Sequence, residues 1–377
     1  MDTSSGQSRS LGTSMPSRPR APLVLATAPT ARLALPAGAV PDAWRKGLDD
    51  LLSWLGIDVS ASPSPSARRF SQLTEWAAAA GNPVSTAVFA PWQITAPASS
   101  SQPVVGSAAQ ATWIASYLFD YGAARLPRRS PLDVMVMSPL PWACEAEQAG
   151  QAPLPSPRLI KTMIAAAKAQ GRRKVAIIVD AASRNTVTGQ LLLVDRALTR
   201  EDIDISIVPV EEALCTLVRH CEAWDALIVM PQWRSVTTAL LAELSGITQP
   251  WPLLWYRRGL ARVTSEAVAG ASGTAGLDAP LLVISLAVAL QEQGQTFASR
   301  KLYDAAAQLW ERGVATPGRP SEAPYARHLS DTDFLQHLTL TSPVPSGRSP
   351  QPWRALAGPE HPRAPRTAPD LRLVGPA

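Results

Sequence analysis

The chain has 377 residues, of which 46% are hydrophobic and 17% are charged, as is typical of a globular protein that buries a large core. Its formal net charge is +5, and the two ends carry all of it. Residues 1–22 hold three Arg against one Asp, and residues 343–377 hold five Arg against two acids. The middle of the chain is formally neutral, so we predict no nucleic-acid-binding face for the folded core.

Two further classes are disfavoured by simple counts. Cys144, Cys215 and Cys221 have neither metal-site spacing nor the number expected of a disulfide framework, which indicates a reducing compartment. The longest apolar stretch, residues 279–290, is shorter than the roughly 18 residues needed to cross a bilayer. We therefore predict no transmembrane segment and interpret 279–290 as a buried helix.

The two ends differ in composition from the rest. Residues 1–22 are rich in Ser and Arg and poor in acids, as in a mitochondrial presequence, but Pro16, Pro19 and Asp2 are equally typical of a plain disordered tail. Residues 343–377 combine frequent Pro with scattered Arg, which predicts a disordered or extended segment that can lie along the surface of a partner.

The first part of the chain predicts alternating strands and helices. A strand is expected at 31–36, and a helix at 44–57 because Trp44, Leu48, Leu51, Leu52 and Leu55 share one face. A proline-broken loop follows at 60–70. We then expect a helix at 71–80, a strand at 85–92, a helix over 111–127 and a strand within 131–145.

The segment 172–244 carries the clearest pattern. Short runs rich in β-branched residues alternate with segments of helical period, which predicts consecutive βα units. The runs are KVAIIVDAA, then VPVEEALCTLV, then WDALIVMPQW. At these separations they resemble the core of the isocitrate/isopropylmalate dehydrogenase family, the β-decarboxylating dehydrogenases.

This resemblance implies an α/β, two-lobed fold with a mixed sheet in each lobe. One lobe would combine residues 23–126 with 248–342, and the other would be the inserted residues 127–247. The basic segment 1–22 and the proline-rich extension 343–377 would flank them as disordered or extended tails.

The resemblance also locates the family's catalytic positions. Decarboxylation of a 2-hydroxy acid needs arginines for the substrate carboxylates, carboxylates for a divalent cation, and a Lys and a Tyr for proton transfer. In register with the family, the catalytic Lys becomes Asp180 and its neighbouring Asn becomes Ala182. Two substrate arginines become Ala115 and Ser138, and the catalytic Tyr falls near Glu145.

The metal and nucleotide positions are also altered. Glu211 matches the aspartate that a partner subunit donates in the family, but it is equally explained as an acid at a helix N-terminus. No carboxylate lies between Asp225 and Glu243, where the family has paired aspartates. The nucleotide loop at 267–280 lacks the family's His and Lys. We therefore assign no catalytic, cofactor-binding or metal-ligating residue and predict no cofactor.

These substitutions predict a pseudoenzyme: a catalytically inactive, isocitrate dehydrogenase-like accessory subunit of a larger assembly, in the mitochondrial matrix or alternatively the cytoplasm. Its partners would be other protein subunits, including a paralogous dehydrogenase-like chain. One alternative is a regulatory subunit of a hetero-oligomeric NAD-dependent isocitrate dehydrogenase, and another is a divergent active dehydrogenase. Trp251 and Trp255 in QPWPLLWYRRG are a candidate contact patch for such partners.

Overall fold

The architecture described here is that of a computed structural model. It describes residues 33–34, 41–57, 87–95, 111–119, 132–146, 152–194, 203–247, 249–257, 260–267, 276–319 and 324–341. Several predicted features lie outside these residues: both tails, the loop at 60–70, the helix at 71–80, and most of the nucleotide loop.

In the described part of the chain, nine strands form one mixed sheet in the order β1-β2-β11-β10-β3-β4-β9-β7-β8. The strands are β1 (Leu33–Ala34), β2 (Ala87–Thr95), β3 (Trp113–Phe119), β4 (Asp133–Pro139), β7 (Lys174–Val179), β8 (Asp204–Pro209), β9 (Ala226–Val229), β10 (Trp251–Arg257) and β11 (Leu260–Glu266). Two-residue ladders join β5 (Cys144–Glu145) to β6 (Leu154–Pro155) and β12 (Val314–Ala315) to β13 (Arg327–His328).

Helices cover both faces of the sheet. They are α1 (Asp42–Leu55), α2 (Pro157–Ala169), α3 (Arg184–Val194), α4 (Val210–Arg219), α5 (Pro231–Ser245), α6 (Ala279–Glu292), α7 (Thr296–Glu311) and α8 (Asp331–Leu340). The predicted strands and helices of 172–244 all form, and the apolar stretch at 279–290 is buried in α6. Among the described residues, no helix is long and apolar enough to span a membrane.

Alternation along the strands divides the core into two layers. In β7, Val175 and Ile177 pack with α2, α6, α7 and α8, whereas Ala176 and Ile178 pack with α4 and α5. Successive strand side chains point to opposite faces, so a strand that is covered on both sides becomes a continuous apolar run. This explains why KVAIIV has no polar face.

One predicted element has the wrong secondary structure. The segment expected to be a helix over 111–127 contains strand β3 instead, and Ala115 and Trp113 lie on that strand. Six of its seven residues are buried, because β3 is hydrogen-bonded between β10 and β4 and covered on both faces. A run that is buried all round has no periodicity to distinguish helix from strand.

The proposed contact patch is also wrong. Trp251 and Trp255 lie in β10 and are only 3% and 4% exposed. Their indole N–H groups donate to buried oxygens, Trp251 to Glu266 Oε2 at 3.0 Å and Trp255 to Thr264 Oγ1 at 2.9 Å. Side chains that are enclosed in this way cannot contact a partner protein.

Strands from both predicted lobes lie side by side in the one sheet. β3, from the predicted large lobe, pairs over seven residues with β4, from the predicted inserted lobe. The described residues all belong to one compact unit. The position of a boundary between two lobes stays a prediction.

The turn after α7 depends on one glycine. Gly313 has φ +78°, and a Cβ there would lie 2.9 Å from the Tyr325 ring. We expect Gly313→Ala to lower the free energy of unfolding by about 1–2 kcal/mol, because L-residues are strained in the left-handed region. Gly189→Ala, within α3 and with no atom within 4 Å of the new methyl, should instead stabilise by about 0.5–1 kcal/mol. Denaturant unfolding measures both; equal effects would contradict the argument.

Candidate functional site

The candidate site is the carboxyl edge of the parallel part of the sheet. Strands β4, β9, β7 and β8 are adjacent and parallel, so their carboxyl ends meet at one edge. In open α/β sheets ligands bind in the crevice outside these ends. The position of the family's catalytic Lys, Asp180, lies here, directly after β7, and the first turn of α5 follows β9 at the same edge.

Asp180 is engaged by the first turn of α5. Its Oδ2 accepts a hydrogen bond from Gln232 Nε2 at 2.9 Å, and its Oδ1 accepts one from Trp233 Nε1 at 2.9 Å. Both carboxylate oxygens of this half-buried side chain therefore have a neutral N–H donor. The arrangement ties the end of β7 to the start of α5.

The next residue of α5 is committed to the core. Arg234 is 1% exposed and forms a bidentate ion pair with Glu266 at the end of β11, at 2.6 and 2.7 Å. Ser116 on β3 accepts from Arg234 and donates to Glu266 Oε2, each at 2.6 Å. Together with the Trp251 indole, this buried network connects α5 with β3, β10 and β11.

Electrostatics in this network favour the charged pair. Burial alone would raise the pKa of Glu266, but the neighbouring Arg234 guanidinium and the hydrogen bonds from Arg234, Ser116 and Trp251 outweigh it and lower the pKa below 4.5. The full set of donors compensates the loss of hydration of both charges.

The other catalytic positions have structural surroundings. Ser138 is buried in β4 and donates to the Pro139 carbonyl at 3.1 Å, and Ala115 is fully enclosed in β3. Glu145 lies in the short β5–β6 ladder and is exposed. None of the three is brought to Asp180 by a hydrogen bond or an ion pair that the structure records.

The acids near the expected metal position are separated. Glu211 is exposed in the first turn of α4, as expected for an acid that interacts with the helix dipole. Asp225 is buried, and its Oδ2 accepts the backbone N–H groups of Arg173 and Lys174 at 3.1 and 3.2 Å. Over the described ranges, no three His, Cys, Asp or Glu side chains come together in a way that could hold a metal ion.

The donor set at the carboxyl edge does not fit a divalent cation. The first turn of α5 offers an amide, an indole and a guanidinium there, whereas Mg²⁺ prefers several anionic or neutral oxygens. Asp180 supplies its two oxygens to N–H donors. No step of a metal-assisted reaction is derived from these residues.

The end of the nucleotide-loop segment is described from Gly276 onward. Gly276 is exposed, and Asp278 is the N-cap of α6, where its Oδ1 accepts the Leu281 N–H at 2.7 Å. Ala279 and Pro280, which match the family, are the first residues of the helix and are buried. Their role in this chain is to start a core helix.

A second buried polar cluster lies on the other face of the sheet. Gln170 donates to the Tyr117 hydroxyl and to Glu292 Oε1, and the Tyr117 and Tyr256 hydroxyls are 3.4 Å apart. Burial raises the pKa of Glu292, although hydrogen bonds from Tyr256, Gln170 and Tyr117 oppose this. The cluster links the ends of α2 and α6 to β3 and β10.

Comparisons with known proteins identify the fold. No protein-family model matches the sequence, and no curated protein matches it significantly. The isocitrate dehydrogenase from Methylococcus capsulatus aligns with 82% of this chain and 98% of its own length, with a TM-score of 0.56 and 15% identity. The TT0538 protein from Thermus thermophilus aligns over 89% and 74%, with a TM-score of 0.56 and 17% identity.

The chain therefore has an isocitrate dehydrogenase-like α/β fold, which confirms the predicted fold class. At these identities the similarity concerns the fold alone.

Sequence reasoning missed the residues that organise the carboxyl edge. Gln232, Trp233 and Arg234 were considered only as part of a helical pattern. The available signal was local: three polar or polar-tipped residues directly follow the proline that starts α5, at positions where the family has acids. Glu266 gave a second signal, as an isolated acid at the end of an apolar strand.

Proposed function

We propose that this protein is a catalytically inactive isocitrate dehydrogenase-like chain that acts as a structural or accessory subunit of a larger complex, in the mitochondrial matrix. The observation that carries the proposal is the closed arrangement at Asp180. Where the family places a cationic lysine, this chain places an acid whose two oxygens are bound by α5.

Electrostatics support the loss of activity. A carboxylate cannot supply the positive charge of a lysine, and one that accepts two N–H donors has its acceptor sites occupied. The first turn of α5 carries no acid and sends its one guanidinium into the core. The fold and its core are retained, as expected of a subunit whose shape matters more than its chemistry.

The activity test uses the full chain with Mg²⁺, NAD or NADP, and isocitrate or isopropylmalate. We expect no reduced nucleotide above the background of the heat-denatured chain, while an active isocitrate dehydrogenase assayed in parallel gives full turnover. Chelator-sensitive turnover that is lost in Asp180→Asn would contradict the proposal and favour a divergent active dehydrogenase. Since Asn keeps one acceptor oxygen, this variant is the conservative control.

The accessory role is tested by purification of the tagged chain at its native abundance from mitochondria. We expect it to co-elute in constant stoichiometry with a multi-subunit particle that lacks isocitrate dehydrogenase activity. Co-elution with catalytic dehydrogenase subunits, together with altered nucleotide activation in its absence, would instead establish the regulatory-subunit alternative. A monomer that remains in the cytoplasmic fraction would overturn both the assembly and the location.

A further inference from the structure

Two carboxyl groups meet at the start of α6. Asp278, the N-cap, accepts the Leu281 N–H through Oδ1 at 2.7 Å. Asp331, the first residue of α8, accepts the Ala279 N–H through Oδ1 at 3.0 Å. The first turn of α6 is thus satisfied by one acid from its own chain segment and by one from a neighbouring helix.

A third segment closes the same junction. Residues 316–319 form a tight turn in which Thr316 and Arg319 exchange backbone hydrogen bonds at 3.1 and 3.0 Å. Gly318 in this turn lies directly against the Asp278 carboxyl: a Cβ on Gly318 would be 1.6 Å from Asp278 Oδ2. Because no side chain fits between them, the carboxyl of Asp278 is enclosed, and the residue is 7% exposed.

Few charges compensate this buried acid. The charged groups that act on it are Asp331, from α8, and Arg319, from the turn. The Arg319 guanidinium lies over the Trp310 ring, 4.4 Å from its centroid. Enclosure and the like charge of Asp331 oppose ionisation of Asp278, whereas the Leu281 N–H and Arg319 favour it.

We propose that this junction is a pH-sensitive latch, which holds the start of α6 against α8 and the 316–319 turn more tightly when Asp278 carries a proton than when it is ionised. The neutral carboxyl can stay in contact with Gly318 beside Asp331 without loss of hydration or repulsion. The ionised carboxyl requires water or separation from Asp331, so the junction opens more often.

The direction and the pH window follow from the titration of Asp278. Burial, opposed by the Leu281 N–H, raises the pKa of Asp278 from 3.8 to about 6. The closed latch therefore binds its proton more strongly than the open one. Its extra stability is complete below pH 3.8, is lost as the pH rises to about 6, and changes no further above that value.

Hydrogen–deuterium exchange of the full chain tests the latch. After correction for intrinsic exchange rates, the opening constant of peptides within 276–285 and 314–319 should increase about 25-fold between pH 4.5 and pH 7. Asp278→Asn keeps the capping oxygen but cannot titrate, so it should remove this increase. Asp331→Asn removes the like charge and should move the midpoint below that of the wild type.

A matched control lies in the same turn of α8. Asp333 is exposed and bonds only to Ser330 in the recorded hydrogen bonds, so Asp333→Asn should leave the pH profile as in the wild type. A flat wild-type profile, or an unchanged increase in Asp278→Asn, would overturn the latch. If Asp278→Asn does not fold, an unshifted midpoint in Asp331→Asn overturns it instead.

Discussion

Replacing Arg234 by Met should lower the free energy of unfolding by about 3–5 kcal/mol at pH 7, as is typical when one partner of a buried ion pair is removed. Arg234 and Glu266 are almost completely enclosed, with side-chain exposures of 2% and 0%. Met retains much of the apolar stem but leaves Glu266 without its cation. Urea unfolding followed by circular dichroism measures the loss.

The pH dependence of this loss distinguishes lost charge pairing from poorer packing. Arg234 lowers the pKa of Glu266 below 4.5, so the stabilisation by the pair is present above pH 4.5 and decreases as Glu266 takes up a proton below it. The difference between wild type and variant should therefore be largest at pH 7 and shrink toward pH 4. A difference that does not vary with pH would show that packing dominates.

Two controls complete the experiment. Arg45 forms an exposed ion pair with Asp42 at 3.4 Å, and Arg45→Met should change stability by less than about 1 kcal/mol. The double variant Arg234→Met/Glu266→Gln removes both charges and should recover part of the loss, since no unpaired charge then remains buried. Purely additive single effects would contradict the proposed coupling.

Replacing Phe334 by Ala should destabilise the protein by about 3–5 kcal/mol. Phe334 lies in α8, is 0% exposed, and stacks near Trp310 with 6.5 Å between ring centroids. α8 packs against α1, α6 and α7, so the lost ring leaves a cavity at the contact of four helices. The midpoint of denaturant unfolding should fall while its slope stays unchanged.

The matched control is another phenylalanine in a neighbouring helix. Phe297, in the first turn of α7, is 82% exposed. Phe297→Ala should change the free energy of unfolding by no more than about 0.5 kcal/mol. If both variants lose the same stability, the effect belongs to helix propensity or to the unfolded chain and not to the core around Phe334.

The elements that sequence predicts well are those whose pattern has one dominant cause. In 44–57 the apolar spacing follows from a helix with one buried face, and Leu48, Leu51 and Leu52 are the buried residues of α1. In 172–244 short β-branched runs alternate with helical segments, and each forms as predicted. Length and flanking residues were sufficient to identify these elements.

Prediction fails where burial removes the periodic signal. The run WIASYLF is buried on both faces, and its small residues Ala115 and Ser116 are compatible with either helix or strand. Its pairing with β10 and β4 decides the structure, and those strands lie far away in sequence or beyond a turn. Likewise, nothing local to QPWPLLW indicates that β11 and α5 will cover both tryptophans.

The candidate site is only partly visible in the sequence. The place of Asp180 after a parallel strand follows from the pattern of 172–185, and so does its location at the carboxyl edge. Its partners do not follow, because the reach of Gln232 and Trp233 depends on how α5 lies against the sheet. The same applies to Arg234, whose ion-pair partner is 32 residues away.

The first turn of α5 also limits how this chain can vary. An acid at position 232 or 233 would place like charge beside Asp180, and an acid at 234 would face the buried Glu266. Single substitutions that add negative charge here are therefore unfavourable on their own and become tolerable only alongside a change at 180 or 266. Mutational paths through this turn are strongly epistatic and proceed by paired exchange.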